Sequence, residues 1–188
     1  MNYYDFTTNN YENYGVQGYA TPSTEISFIC GEKITEDVPL LTFEVNFPKG
    51  YKLPQFLGDV IPIISNRLLD VLNEVGVTNI QTYPVVLQNS ETGEVWNNYH
   101  ALNVIGLVYN AVDIERSNHE TIMEGSDNIP ALLAFEEIVL IKNKIPDLLM
   151  FRIAESPSTI IAHEKILDQI ATSSYKGWGI DFTELETV

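Results

Sequence analysis

The sequence predicts an α+β fold, with a mixed, mainly antiparallel sheet and two principal amphipathic helices in a single domain, and three stretches carry that expectation. Leu40 to Phe47 alternates Leu41, Phe43, Val45 and Phe47 against Thr42, Glu44 and Asn46, the period of a half-buried strand. Asn66 to Val75 places Leu68, Leu72 and Val75 on one helical face with Leu69 beside them. Ser65 stands where an N-cap belongs and Gly76 where a left-handed C-cap belongs. Tyr99 to Ser117 begins as an apolar run too rich in Val, Ile and Tyr for a surface loop and ends in Asp113, Glu115, Arg116 and Ser117. It reads as a buried strand leaving its sheet.

The remaining elements follow in order. Residues 1–24 are mostly Tyr, Asn, Thr and Gly, with little aliphatic content, and read as a loosely held arm before a domain spanning 25–188. Tyr3, Tyr4, Tyr11, Tyr14 and Tyr19 could equally pack onto the domain or a partner, because tyrosine brings apolar area with a polar tip. A strand is expected from Glu25 to Cys30, before the one at Leu40 to Phe47. Pro48, Gly50 and Pro54 then interrupt regular structure. Ile80 to Gln88, the turn Asn89 to Gly93, and Val95 to Val112 form a long hairpin whose Gly106 suggests a bulge or close backbone approach. Ser117 to Asn128 is polar and aperiodic, the pattern of a mobile surface loop. Strands are expected at Phe135 to Ile141 and Leu148 to Ala154, a second helix at about His163 to Thr172 on Ile166, Leu167 and Ile170, and a short closing strand at Gly177 to Phe182. Ile63-Ile64-Ser65 and Ile160-Ile161-Ala162 each precede a helix carrying Leu-Asp, a weak internal echo.

The totals narrow the function. Among 188 residues, 10 Lys and Arg stand against 26 Asp and Glu, a formal charge of -16. Such a chain repels nucleic acid and anionic membranes and attracts basic partners, although the same charge also serves solubility. Cys30 is the lone cysteine, so no internal disulfide forms; at the end of the apolar run Ile26 to Ile29 it reads as a small buried hydrophobe. Met1 to Asp5 has no signal-peptide character, and no apolar stretch reaches the roughly 20 residues of a membrane span, so a cytoplasmic location is expected.

No motif names a reaction. His100, His119 and His163 are scattered and distant from Cys30, so neither a metal site nor a cofactor is expected, and no phosphate loop, dinucleotide fingerprint or nucleophile elbow is present. Asp70 and Glu74, four apart on one helix, read as a solvated face. The most suggestive polar group is Asp113, Glu115, Arg116 and Ser117, with Arg152. Arg116 or Arg152 could clamp a carboxylate to hold the neighbouring loop, or these groups could rim a partner-binding face.

In order along the chain, Ile64-Ser65 before a helix, Tyr83-Pro84 after it, Tyr99 with Leu102-Asn103-Val104, Val112-Asp113 with Ser117, Phe151-Arg152, Ile160-Ile161, Gly177 and Phe182 resemble a known family. It is the eleventh numbered family of immunity proteins of bacterial polymorphic toxin systems, earlier catalogued as a domain of unknown function. The likeness covers about Ile63 to Phe182. The resemblance implies a cytoplasmic, non-catalytic partner that binds and neutralises a cognate toxin, and it brings no catalytic residue. The Tyr-rich first 55 residues have no counterpart in the pattern, and Trp178-Gly179 stands as an addition after Gly177. An inhibitor of a basic toxin such as a nuclease gains from an acidic face. The candidate partner-binding residues are therefore Asp113, Glu115, Glu120 and Glu124, with Arg116 among them. Two other readings stay open: a small-molecule or modifying enzyme using a pocket at Asp113, Arg116 and Arg152, and a structural subunit of a larger complex.

Overall fold

The computed structural model describes residues 2–9, 14–19, 26–58, 61–127 and 129–188, so Tyr11, Glu25 and Asn128 lie outside the described residues. The chain runs β1 (Tyr3–Thr8), β2 (Val16–Tyr19), β3 (Leu41–Val45), β4 (Phe56–Leu57), β5 (Ile63–Ser65) and α1 (Asn66–Val75). It continues through β6 (Ile80–Asn89), β7 (Glu94–Val104), β8 (Leu107–Val108), β9 (Asn118–Met123), β10 (Leu132–Glu137) and β11 (Val139–Leu140). A 3₁₀ turn at Lys142–Lys144 precedes β12 (Met150–Ile153), β13 (Ser156–His163), α2 (Glu164–Thr172) and β14 (Ile180–Thr187).

Among the described residues the strands form two six-stranded sheets and a two-stranded ribbon, so the architecture is strand-dominated rather than one sheet carrying two helices. The first sheet has the order β2-β3-β6-β7-β5-β4 and the second β11-β14-β1-β13-β12-β8. Pairing is mostly antiparallel; β3 with β6, β11 with β14, and β12 with β8 run parallel. The expected hairpin is present as β6 and β7, paired from Ile80 opposite Val104 to Asn89 opposite Glu94. Its return limb stops short of Val112, however. At Gly106 (φ 116°) the chain leaves the first sheet, and Leu107 pairs with Arg152 in the second. That positive φ is open to glycine and strained for other residues, so Gly106 is the crossing point between sheets.

Three apolar clusters follow from this layout. The first sheet packs Leu41, Phe43, Val45, Val85 and Leu87 under Phe28, Ile34, Phe47 and Leu53. The second packs Phe151, Ile153, Ile161 and Leu185 against Val108, Val112 and Leu140. Between the sheets, α1 and α2 bury Leu68, Leu72, Ile166 and Ile170 against Ile64 and Leu102 of one and Phe6, Met150 and Ile160 of the other. No helix among the described residues is long and apolar enough to cross a membrane.

Both helices start directly from a strand. Ser65 Oγ accepts the Leu68 N–H at 3.2 Å, and Gly76 closes α1 at φ 94°. His163 caps α2: its Nδ1 accepts the Lys165 N–H at 3.1 Å, while Nε2 has no partner among the described residues. Burial, the largest cause, pushes this imidazole below its ordinary 6.5; Glu164 and Asp147 pull it up, and Lys165 and the N-terminal amine add to the fall. The folded state therefore holds a neutral ring, and below the ordinary value the unfolded chain binds more protons. His163's contribution is full above 6.5 and is lost as pH falls through that value toward the depressed one. Unfolding midpoints should drop between about pH 7 and pH 5, and His163→Asn, which keeps a cap acceptor without titrating, should make that drop smaller. An equal drop in the variant would show that other groups, such as His100, whose imidazole burial also lowers, account for all of it.

Two further segments, both near the N-terminus, depart from the sequence reading. Tyr3–Thr8 is not an arm; β1 lies inside the second sheet between β13 and β14. Residues 26–30 form no strand, with bends at 28–30, because the apolar run is spent on one anchor. Phe28 is buried edge-on to Tyr83, whereas Cys30 is exposed and its thiol sits 3.0 Å from Ser27 Oγ.

Candidate functional site

Apart from Arg152, the residues singled out from the sequence sit on and beside the ribbon of β9 and β10. Its base is a tight turn. Asp113 N–H donates to the Val139 carbonyl, and the Asp113 carbonyl accepts from both the N–H and Oγ of Ser117 at 3.0 and 2.7 Å. Ser117 Oγ then accepts the Val139 N–H. Asp113 Oδ1 takes the Arg116 N–H at 3.3 Å, so Asp113 is half-buried and occupied in shaping the turn. Glu115 and Arg116 project from it, and Arg116 pairs with Glu186 of β14 rather than with an acid of the ribbon. Both side chains of that pair are more than half exposed, so it contributes at most ~1 kcal/mol.

Beyond the turn, the stretch expected to be a mobile loop is a strand. β9 pairs antiparallel with β10, with Phe135 opposite His119 and Leu133 opposite Thr121. Its sequence lacks a strand's alternation because neither face of β9 is buried; the ribbon is fastened through β10, by Leu133 and Phe135 and by the Leu133 N–H on the Glu155 carbonyl. Glu120 and Glu124 are exposed on it, as are Asp127, Glu136 and Glu137. Between Arg116 and Lys142 there is no Lys or Arg.

Arg152 is elsewhere. It is 0% exposed, and its guanidinium donates to the carbonyls of Pro157 at 2.6 Å, Ser158 at 3.1 Å and Phe28 at 3.0 Å. Burial pulls it down to about 10, so it stays charged at neutral pH. It clamps backbone rather than a carboxylate, and it can neither rim a binding face nor line an open pocket with Asp113 and Arg116.

A cleft of about 780 Å³ opens instead where α1, α2 and β7 meet the segment 51–55. Gln55 organises its floor, donating to the Leu53 carbonyl and Tyr175 Oη and accepting from Ser65 Oγ. Tyr99 Oη donates to the Pro54 carbonyl, and burial pushes this phenol well above its ordinary value. Arg67 stacks on Tyr175 at 4.5 Å, and Tyr175 meets Trp178 edge to face. Trp178 thus lines the cleft, and its carbonyl takes the Gln55 and Phe56 N–H groups. Sequence reasoning missed this cleft because its lining comes from separate segments; the available signal was that both tryptophans, Trp96 and Trp178, belong to it.

No curated protein matches the chain. The family model described as "Immunity protein family (Imm11)" matches residues 32–187, reaching well into the region that the sequence pattern left without a counterpart. With the match spanning most of its length, this chain belongs to the Imm11 immunity protein family.

Proposed function

We propose that the chain acts in the cytoplasm as a non-catalytic inhibitor that binds and neutralises a cognate toxin, with the acidic ribbon as the contact face. Family membership supports the immunity role. The observation that carries the choice of face is the ribbon's charge: five exposed carboxylates, Glu120, Glu124, Asp127, Glu136 and Glu137, with no cation between Arg116 and Lys142. A one-signed projecting surface speeds encounter with a basic enzyme through long-range attraction and repels nucleic acid competing for the same enzyme. Glu115 extends the acidic face at the ribbon base, and Arg116, held by Glu186, interrupts its charge least where it is paired.

The test is co-expression with any toxin-like gene encoded beside its own or with a toxin captured from its own cells, followed by binding kinetics on the purified pair. Reversing Glu115, Glu120 and Glu124 to Lys should cut the association rate by about tenfold or more at low salt and flatten its salt dependence. Unchanged rates and salt slope would remove the ribbon from the interface. A second reading, binding of a small ligand, attaches to the cleft. Saturable small-molecule binding lost in Trp178→Ala, without any toxin neutralised, would favour it.

A further inference from the structure

The ribbon carries more than charge. Opposite Leu133 and Leu132 of β10 stand Thr121 and Met123 of β9, so Ile122 is an extra residue in its strand, a β-bulge. Bulges re-aim side chains. This one leaves Ile122 70% exposed, next to Met123 at 48% and followed across the tip by Ile129 at 58%. Most large exposed apolar side chains are scattered singly and mean little. Here three fall on one projecting ribbon that is otherwise acidic, and none is needed to hold it, because Leu133 and Phe135 do that from the opposite strand.

Resting on the immunity reading above, we infer that Ile122 and Met123 form the apolar anchor of the toxin interface, and that the ribbon fits an apolar pocket rimmed by Lys and Arg. Interfaces concentrate their energy in a few desolvated apolar groups surrounded by polar residues that exclude water. Glu120 and Glu124 flank the anchor in sequence, and Asp127 lies between it and Ile129. The charge also decides the occupant. A second copy of this chain would bring the same five carboxylates against these, and like charges across an interface disfavour that pairing. The bulge works the same way, since it interrupts the edge along which another copy's strand would add. A cationic rim gains from every one of these groups. Acidic side chains then set the association rate and the apolar anchor the dissociation rate.

The test uses the intact chain and the purified toxin identified by that co-expression or capture. Ile122→Ser with Met123→Ser should raise the dissociation rate at least tenfold while leaving the association rate and its salt dependence as in wild type. Thermal unfolding should move little, because Ile122 is mostly and Met123 about half exposed. Glu120→Lys with Glu124→Lys should give the reverse pattern, a slower association with a smaller effect on dissociation. If the toxin binds and the serine variant dissociates at the wild-type rate, the anchor is overturned while the immunity reading stands. Absence of any binding by the wild-type chain would overturn the immunity reading, and this inference with it. Edge-to-edge dimers of the chain that are broken by the serine variant would assign the anchor to self-association instead and overturn it as a toxin contact.

Discussion

Deletion of residues 1–9 should abolish cooperative folding, although the segment reads as a polar appendage. β1 is hydrogen-bonded on both sides, with Tyr3 opposite His163 on one neighbour and Leu185 on the other. It also joins two of the cores. Tyr3 is buried edge-on to Phe151 on one face, and Phe6 on the opposite face lies 4.8 Å from the Phe56 ring and 5.4 Å from that of Phe182. Truncating a buried aromatic of this kind costs about 3–5 kcal/mol, so Phe6→Ala alone should remove a large part of the roughly 5–15 kcal/mol that stabilises a typical domain. Removing the strand takes both aromatics and leaves the facing edges of β13 and β14 without partners, a template for aggregation. Urea unfolding followed by far-ultraviolet circular dichroism should show a lowered midpoint for Phe6→Ala and no cooperative transition for the deletion. A deletion variant that melts at the wild-type midpoint would mean that β13 and β14 close on each other without β1.

Where the sequence carried its own local physics, the reading and the structure agree. The first helix is bounded at Asn66 and Val75 by the cap residues that mark it, and the β6–β7 hairpin lies where alternation and the Asn89 to Gly93 turn place it. The misses share a different cause. β1 is buried by its neighbours in space, so two aromatics in a polar window suffice and no aliphatic pattern is required. β9 buries neither face, which removes the period that would have marked it as a strand. Gly106 was recognisable as a special backbone position, but a bulge and a change of sheet look alike in sequence. Of the candidate site residues, Glu115, Glu120 and Glu124 are exposed where a partner could meet them. Asp113 is occupied in its turn, and Arg152 is inside. Charge singled out the first three as candidates; nothing in the run Met150-Phe151-Arg152-Ile153 distinguishes an arginine paired to an acid from one paired to backbone.

Arg152 yields the other large effect. Its three carbonyl acceptors join separate parts of the molecule: Pro157 and Ser158 belong to β13 in the second sheet, and Phe28 anchors the segment that covers the first. The same junction is crossed by backbone bonds, from Arg152 N–H to the Gly106 carbonyl and from Gly106 N–H to the Gly31 carbonyl. Arg152→Ala would leave three carbonyls without their donor and a cavity where the side chain was, and should cost about 3–5 kcal/mol. Two further variants separate packing from hydrogen bonding. Arg152→Met restores most of the volume without any donor and should recover little. Arg152→Lys keeps the charge, yet one ammonium cannot reproduce the planar fork, so an intermediate loss is expected. Urea melts rank the three, and hydrogen exchange locates the damage, which should appear first as faster exchange in residues 26–34. A methionine variant as stable as wild type would show that filling the space is what matters. In a chain with only 10 cations against 26 carboxylates, keeping one of them wholly inside also sharpens the acidity of the surface, which is the property the toxin-binding reading depends on.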